Sequence, residues 1–342
     1  MEFLASHGAT LSVTPHLDYT SFSLVCLSKF GTTLVPWVTR LLWQATLPPE
    51  EVERERAKKR QSLLVDLEKT SYLASIYLRR GLFGNHHAYG QSLSLEDLEG
   101  LSRETLVQQY RVQYQRTALT VVMSGDIPDT LLGVLEEALQ EGPAETVPLP
   151  TPLPTLPEPQ HPRIPRPGVQ ATLRAGKVSL TKSHPDYHNL KVVNELLGGY
   201  FGSRLMQNLR EDKGLTYGIY SSMVPLQEAF YLSIGADVKR ENAELALQEI
   251  EHEVKLLQST LVPGDELMRV KTHMEGKILG QLTSPFAHAE VFKGLHFYGL
   301  DGAHFQALFT TLQEITPETV QRVAQEHLVW EDMTTVLVGV AD

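Results

Sequence analysis

The alternation of apolar and polar positions divides this chain into short strands, longer helices and one proline-dense stretch. Gly8 to Val13 and Tyr19 to Leu27 read as two β-runs joined by a turn containing Pro15. Phe30 to Ala45 reads as a helix, which Pro48-Pro49 breaks. From Glu50 a long helical pattern begins, charged from Glu51 to Arg60 and then apolar through Leu63, Leu64, Leu67, Tyr72, Leu73 and Ile76. Gly84 to Gly90 is expected to be a loop, Glu104 to Gln115 a helix, Ala118 to Gly125 a hydrophobic strand and Asp129 to Gln140 another helix.

Between Pro143 and Gly168 lie ten of the chain's 20 prolines. That density supports neither a helix nor a central strand, so the segment reads as an extended linker. It divides the 342 residues into an N-terminal domain (1–142), the linker (143–168) and a C-terminal domain (169–342).

Across the linker the pattern recurs. Gly8-Ala9-Thr10-Leu11-Ser12-Val13 lines up with Gly214-Leu215-Thr216-Tyr217-Gly218-Ile219, at an offset of 214 − 8 = 206. Glu104-Thr105-Leu106 lines up with Glu318-Thr319-Val320 at 318 − 104 = 214, and Thr120-Val121-Val122 with Thr335-Val336-Leu337 at 335 − 120 = 215. Nearly constant offsets predict duplicated domains. Each half mixes hairpin strands with long helices, which predicts an α+β fold of two homologous sandwiches.

The second half carries the most distinctive stretch. Gly198-Gly199-Tyr200-Phe201-Gly202 is a glycine-rich turn leading into a short helix with Leu205 and Leu209 on one side. Gly214 ends that helix, and Leu215 to Ser222 continues as a strand bearing Tyr217.

Composition narrows the function. The formal charge of −11 argues against nucleic-acid binding. No apolar run is long enough to span a membrane, and Met1-Glu2-Phe3-Leu4 lacks the order of a signal peptide, so a cytoplasmic location is expected. The single cysteine, Cys26, excludes an intrachain disulfide and reads as a small core residue. Two histidine pairs invite metal-site readings. His184 and His188 would share a helical face, but Tyr187 stands where a base should be, and Pro185 marks a helix start. His86 and His87 are adjacent, so their side chains diverge.

The segment from Gly198 to Tyr217 resembles the second-domain signature of the pitrilysin, insulysin and mitochondrial processing peptidase family of inverted-motif zinc peptidases. The resemblance covers almost the whole chain and implies paired domains facing each other across a substrate cleft. In that family an arginine and a tyrosine seven residues apart contact the substrate near the scissile carbonyl. They match Arg210 and Tyr217, with Gly198, Gly199 and Gly202 alongside them as substrate-binding positions. The family's zinc motif, His-x-x-Glu-His, is absent from this chain and would precede the strand at Gly8. Glu53-Arg54-Glu55-Arg56 matches the pattern that comes before the third zinc ligand, and the ligand position falls on Ser62, a poor zinc ligand.

The resemblance therefore implies a non-catalytic subunit with no peptidase activity of its own. It would bind no metal and would lend Arg210 and Tyr217 to a homologous, zinc-bearing partner acting on peptides. Self-association as a homodimer stays open. A structural or peptide-binding member without a peptidase partner, or a fragment of an active zinc peptidase, would be read from the same residues.

Overall fold

The computed structural model describes residues 2–147, 153 and 155–341. In chain order its first half holds α1 (Glu2–Ser6), β1 (Thr10–Pro15), β2 (Thr20–Val25), α2 (Gly31–Trp43), α3 (Pro49–Glu68), α4 (Thr70–Phe83), α5 (Leu95–Gly100), α6 (Arg103–Gln113) and α7 (Asp129–Gln140). The second half holds β3 (Arg163–Pro165), β4 (Gln170–Ser179), α8 (Tyr187–Asn194), β5 (Thr216–Pro225), β6 (Phe230–Lys239), α9 (Ala243–Ser259), α10 (Gly264–Gly280), α11 (Pro285–Phe297), α12 (Gly302–Glu314), α13 (Pro317–His327) and β7 (Thr334–Val340). No helix among the described residues is long and apolar enough to cross a membrane.

Two pairs of positions aligned by the repeat have similar local backbone. Gly8 and Gly214 each precede their hairpins with positive φ, +59° and +60°, a conformation that favours glycine. Ser102 caps α6 by accepting from the Thr105 N–H, and Thr316 caps α13 by accepting from the Thr319 N–H.

Two compact units interleave along the chain. One comprises Met1–Leu64, Leu93–Thr151 and Thr283–Lys293, and the other Val65–Ser92, Pro152–Leu282 and Gly294–Asp342. In the first unit β1 and β2 pair antiparallel, from Thr10 opposite Val25 to Pro15 opposite Thr20. Neither strand fully buries a residue. Below the hairpin, Leu4, Ala9 and Leu34 form a small core, with Cys26, Phe30 and Trp37 packed against it.

Three expectations need correction. The run from Ala118 to Gly125 is not a strand. Residues 119–124 are irregular, and no described strand pairs with them. Its counterpart β7 is a strand because β3 and β4 flank it. The long helical pattern from Glu50 is two helices, separated at Lys69, whose ψ of 122° is extended. The proline-dense segment is not wholly linker, since β3 lies inside it and pairs parallel with β7.

The second unit is built on a five-stranded sheet of order β3-β7-β4-β6-β5, antiparallel except for the β3–β7 pair. Its faces sort by the two-residue period of strands. Ala171, Leu173, Ala175 and Leu337 point into a large core that includes Leu190 and Val193 of α8, Ile250 of α9, Val270 of α10 and Val323 of α13. Val336 and Val338 point the other way and meet Leu73, Ala74, Leu78, Leu82 and Phe83 of α4. A Cβ on Gly81 of α4 would stand 2.7 Å from Thr334 Cγ2, so glycine sets how closely this helix approaches the sheet. Thr70 Oγ1 lies 2.8 Å from Thr172 Oγ1, which donates to Asp237 Oδ1 at 2.5 Å and ties the start of α4 to β4 and β6.

Candidate functional site

The Arg210–Tyr217 stretch stands on a heavily packed base. α8 runs on into a π-wound stretch, Glu195–Gly199, and a second π-wound stretch spans Met206–Asp212. The sequence predicted an α-helix with a Leu205/Leu209 stripe. The wider winding instead turns Leu205, Met206 and Leu209 all inward, each completely buried. Leu215 N–H donates to Leu209 O at 2.8 Å, and Gly214 turns the chain between them. Ile219 N–H approaches Met206 Sδ at 3.4 Å, fixing β5 against the π turn.

The register of β5 against β6 slips between Thr216 and Ile219. Thr216 holds this bulge through its side chain. Its Oγ1 lies 2.7 Å from Asp237 O and 3.0 Å from Gly218 O, and accepts from Gly218 N–H at 3.2 Å. Bulges re-aim side chains. Here the side chain thrown outward is Tyr217, 99% exposed. Its phenol makes no hydrogen bond to any described residue.

Arg210 leaves the π turn on its half-buried side. Its guanidinium carbon lies 4.5 Å from the centroid of the exposed Phe201 ring, and Nε is 3.5 Å from Glu211 Oε1. No hydrogen bond or ring contact joins Arg210 to Tyr217. The two stand on either side of the Gly214 turn, and both are open to solvent.

The three glycines occupy different surroundings. Gly198 is buried, and a Cβ there would meet Ser221 N at 2.7 Å and Ser221 Cβ at 2.8 Å. It lets the end of α8 lie directly on β5. Asn194 and Ser221 close that junction, with Ser221 Oγ donating to Asn194 Oδ1 at 2.6 Å. Gly199 faces the Glu195 carboxylate, and Gly202 is exposed beside the Tyr200 ring. Ion pairs brace the base further. Arg204 grips Glu266 through two nitrogens at 2.8 and 2.9 Å, and Asn208 Nδ2 donates to Glu253 at 2.7 Å. Glu195, 7% exposed, takes Lys277 Nζ and His273 Nε2, each at 3.3 Å.

The positions considered for metal do not assemble as their spacing suggested. Ser62 is an exposed hydroxyl on α3. His86 is exposed while His87 is buried against Phe83 and Tyr89. His184 and His188 do not share a helical face, because α8 begins only at Tyr187. His184 instead joins Asp186 and His327, and one potential ligand atom from each lies within 4.8 Å of the others. His327 was invisible to sequence reasoning, being remote along the chain. Asp186 is already engaged in this cluster. Arg322 donates to both its oxygens, at 2.7 and 3.0 Å, Asn189 Nδ2 to one at 3.0 Å, and His327 Nε2 lies 3.3 Å from the other. Chiefly because of Arg322, its carboxyl is held far below the usual carboxylate range. A guanidinium on the Asp186 carboxylate, shared with Glu326, fits a structural ion network and opposes a second cation. These residues do not fit a zinc-hydrolase centre.

Residues 100–274, just over half of the chain, match the family described as the peptidase M16 inactive domain. The chain is 23% identical over 280 residues to the uncharacterized zinc protease YmxG of Bacillus subtilis, covering 81% of this chain and 68% of that protein. It is also 23% identical over 350 residues to the non-peptidase homolog YmxG of Helicobacter pylori, covering 99% of this chain and 79% of that one. Among solved structures, the peptidase M16 inactive domain from Pseudomonas fluorescens superposes with a TM-score of 0.87 at 22% identity, covering all of this chain and 83% of that one. The chain belongs to the peptidase M16 inactive-domain family.

Proposed function

We propose that this protein is the non-catalytic member of a two-chain zinc peptidase. Arg210 and Tyr217 hold a peptide's scissile carbonyl while a homologous partner supplies the zinc and the base. The observation that carries the reading is the pairing of a fully packed base with polar tips that face solvent. Leu205, Met206 and Leu209 are completely buried, whereas the Tyr217 phenol is almost fully exposed and the Arg210 guanidinium rests on a surface ring. A folded chain gains no stability from an outward phenol, and a bulge held by Thr216 is a costly way to place one.

Both groups are donors. A phenol O–H and a guanidinium N–H can each hydrogen-bond a carbonyl oxygen, and both bonds strengthen as that oxygen acquires charge in the transition state. The contribution is to bind, orient and stabilise, without proton transfer. The name non-peptidase homolog, carried by the Helicobacter pylori relative, supports a role without independent hydrolysis.

The test is to assay peptide hydrolysis by this chain alone, by a homologous chain with an intact His-x-x-Glu-His motif alone, and by the mixture. Activity confined to the mixture supports the reading. Hydrolysis by this chain alone, with stoichiometric zinc, overturns it.

A further inference from the structure

A second polar cluster in the same unit lies apart from the Arg210–Tyr217 surface. His188 on α8 and His304 on α12 have ring centroids 4.5 Å apart. Lys191, one turn along α8 from His188, acts electrostatically on both imidazoles, and Lys182, in the segment joining β4 to α8, acts on His304. Lys182 Nζ stands 3.6 Å above the Tyr298 ring and 5.7 Å from the Phe230 ring. Tyr187 closes the aromatic wall, 5.7 Å from Phe230 and 5.8 Å from His304.

Four nitrogenous side chains thus converge, and among the described residues none has a carboxylate in hydrogen-bonding contact. The acid nearest in effect is Glu195, which attracts Lys191 but pairs with Lys277 and His273. His188 is 8% exposed, and its Nδ1 is buried with no hydrogen-bond partner among the described residues. Buried polar atoms are normally paired, and an orphan in a folded protein calls for an explanation. The partly buried Lys182 ammonium, which stands over aromatic rings rather than beside a carboxylate, calls for the same one.

We propose that the Lys182–His188–Lys191–His304 cluster binds a small oxyanion, a carboxylate or a phosphate, whose oxygens pair with the two ammonium groups and with His188 Nδ1–H. The aromatic wall of Tyr187, Phe230 and Tyr298 shields that charge from water and accepts the apolar part of a ligand. Burial first, and neighbouring basic groups second, push Lys182 down to about 8 and His188 down to about 4, so the His188 imidazole is neutral near pH 7, and a bound anion would raise both values. The inference does not depend on the Arg210–Tyr217 reading, because no residue is shared.

The experiment follows the histidine ring resonances of the full chain, labelled at histidine, during titration with inorganic phosphate. Parallel titrations use an acetyl-dipeptide with a free C-terminus and its C-terminal amide. The expected result is a saturable shift of the His188 and His304 signals with one of the two anions, while the exposed His86 does not respond. Lys182→Ala should weaken the midpoint at least tenfold, and Lys182→Arg, which keeps the charge, should largely restore it. Response to phosphate alone assigns a phosphorylated ligand. Response to the free-acid peptide but not its amide assigns a peptide terminus. Unmoved His188 and His304 signals with every ligand would overturn the proposal, as would equal shifts in Lys182→Ala that keeps its folded spectrum.

Discussion

Asp186, just before α8, and Arg322, on α13, form a two-point ion pair with N···O distances of 2.7 and 3.0 Å. Their positions are 322 − 186 = 136 residues apart, so the pair closes one of the longest loops in the second unit. Asp186 is nearly enclosed, whereas Arg322 is about half exposed, which limits the strength of the pair.

The first prediction concerns acid stability. Pairing with Arg322 lowers the Asp186 pKa in the folded state. A depressed carboxyl pKa stabilises above its unfolded value and loses that contribution as pH falls through the folded value. Arg322→Ala should therefore cost about 1 kcal/mol at neutral pH, or ~1–2 °C in Tm for a chain of this size. The difference from the parent should shrink steadily below about pH 4. Melting curves from pH 7 to pH 2 check this. A difference independent of pH would contradict it.

The second prediction separates packing from ligand contact among the glycines. Gly198→Ala drives a methyl into the Ser221 backbone and should cost about 1–3 kcal/mol in urea unfolding. Gly276→Ala, in the interior of α10 with open space around it, should instead stabilise by roughly 0.5–1 kcal/mol. Equal effects at the two sites would show that the close approach of α8 to β5 is not what demands glycine at 198.

The third prediction follows from the interleaved units. Phe83 of α4 is completely buried against the second unit's sheet, and Phe83→Ala should destabilise by about 3–5 kcal/mol. A fragment of residues 143–342 lacks α4 and leaves Val336 and Val338 uncovered. It should bind a hydrophobic dye and unfold without cooperativity. A sharp melt in that fragment would contradict the assignment of residues 65–92 to the second unit.

Much of this fold was legible because it is local. The first hairpin, helix α6 and the stop at Gly214 each follow from a few neighbouring residues and their conformational preferences. What escaped depends on partners. Ala118 to Gly125 has the composition of β7 but no strand beside it. The prolines around Arg163 hid a strand that exists because β7 offers it an edge. Leu205 and Leu209 announced a helix but not its π winding, which Met206 and Ile219 decide across the turn. Arg210 and Tyr217 could be named from spacing, but not the Thr216 bulge that aims one of them outward. The Asp186–Arg322–His327 network and the His188–His304 pair join residues more than a hundred positions apart, and no local pattern reports them.

The most direct measurement is the steady-state kinetics of the mixture with a zinc-bearing homologous chain, comparing the parent with Tyr217→Phe and Arg210→Ala. Loss of a donor that acts mainly on the developing oxyanion should lower kcat by about tenfold to a thousandfold with little change in KM. Both variants should keep the parent's Tm, since neither side chain supports the base. An unchanged kcat in both variants, in a mixture that hydrolyses peptide, would contradict the account.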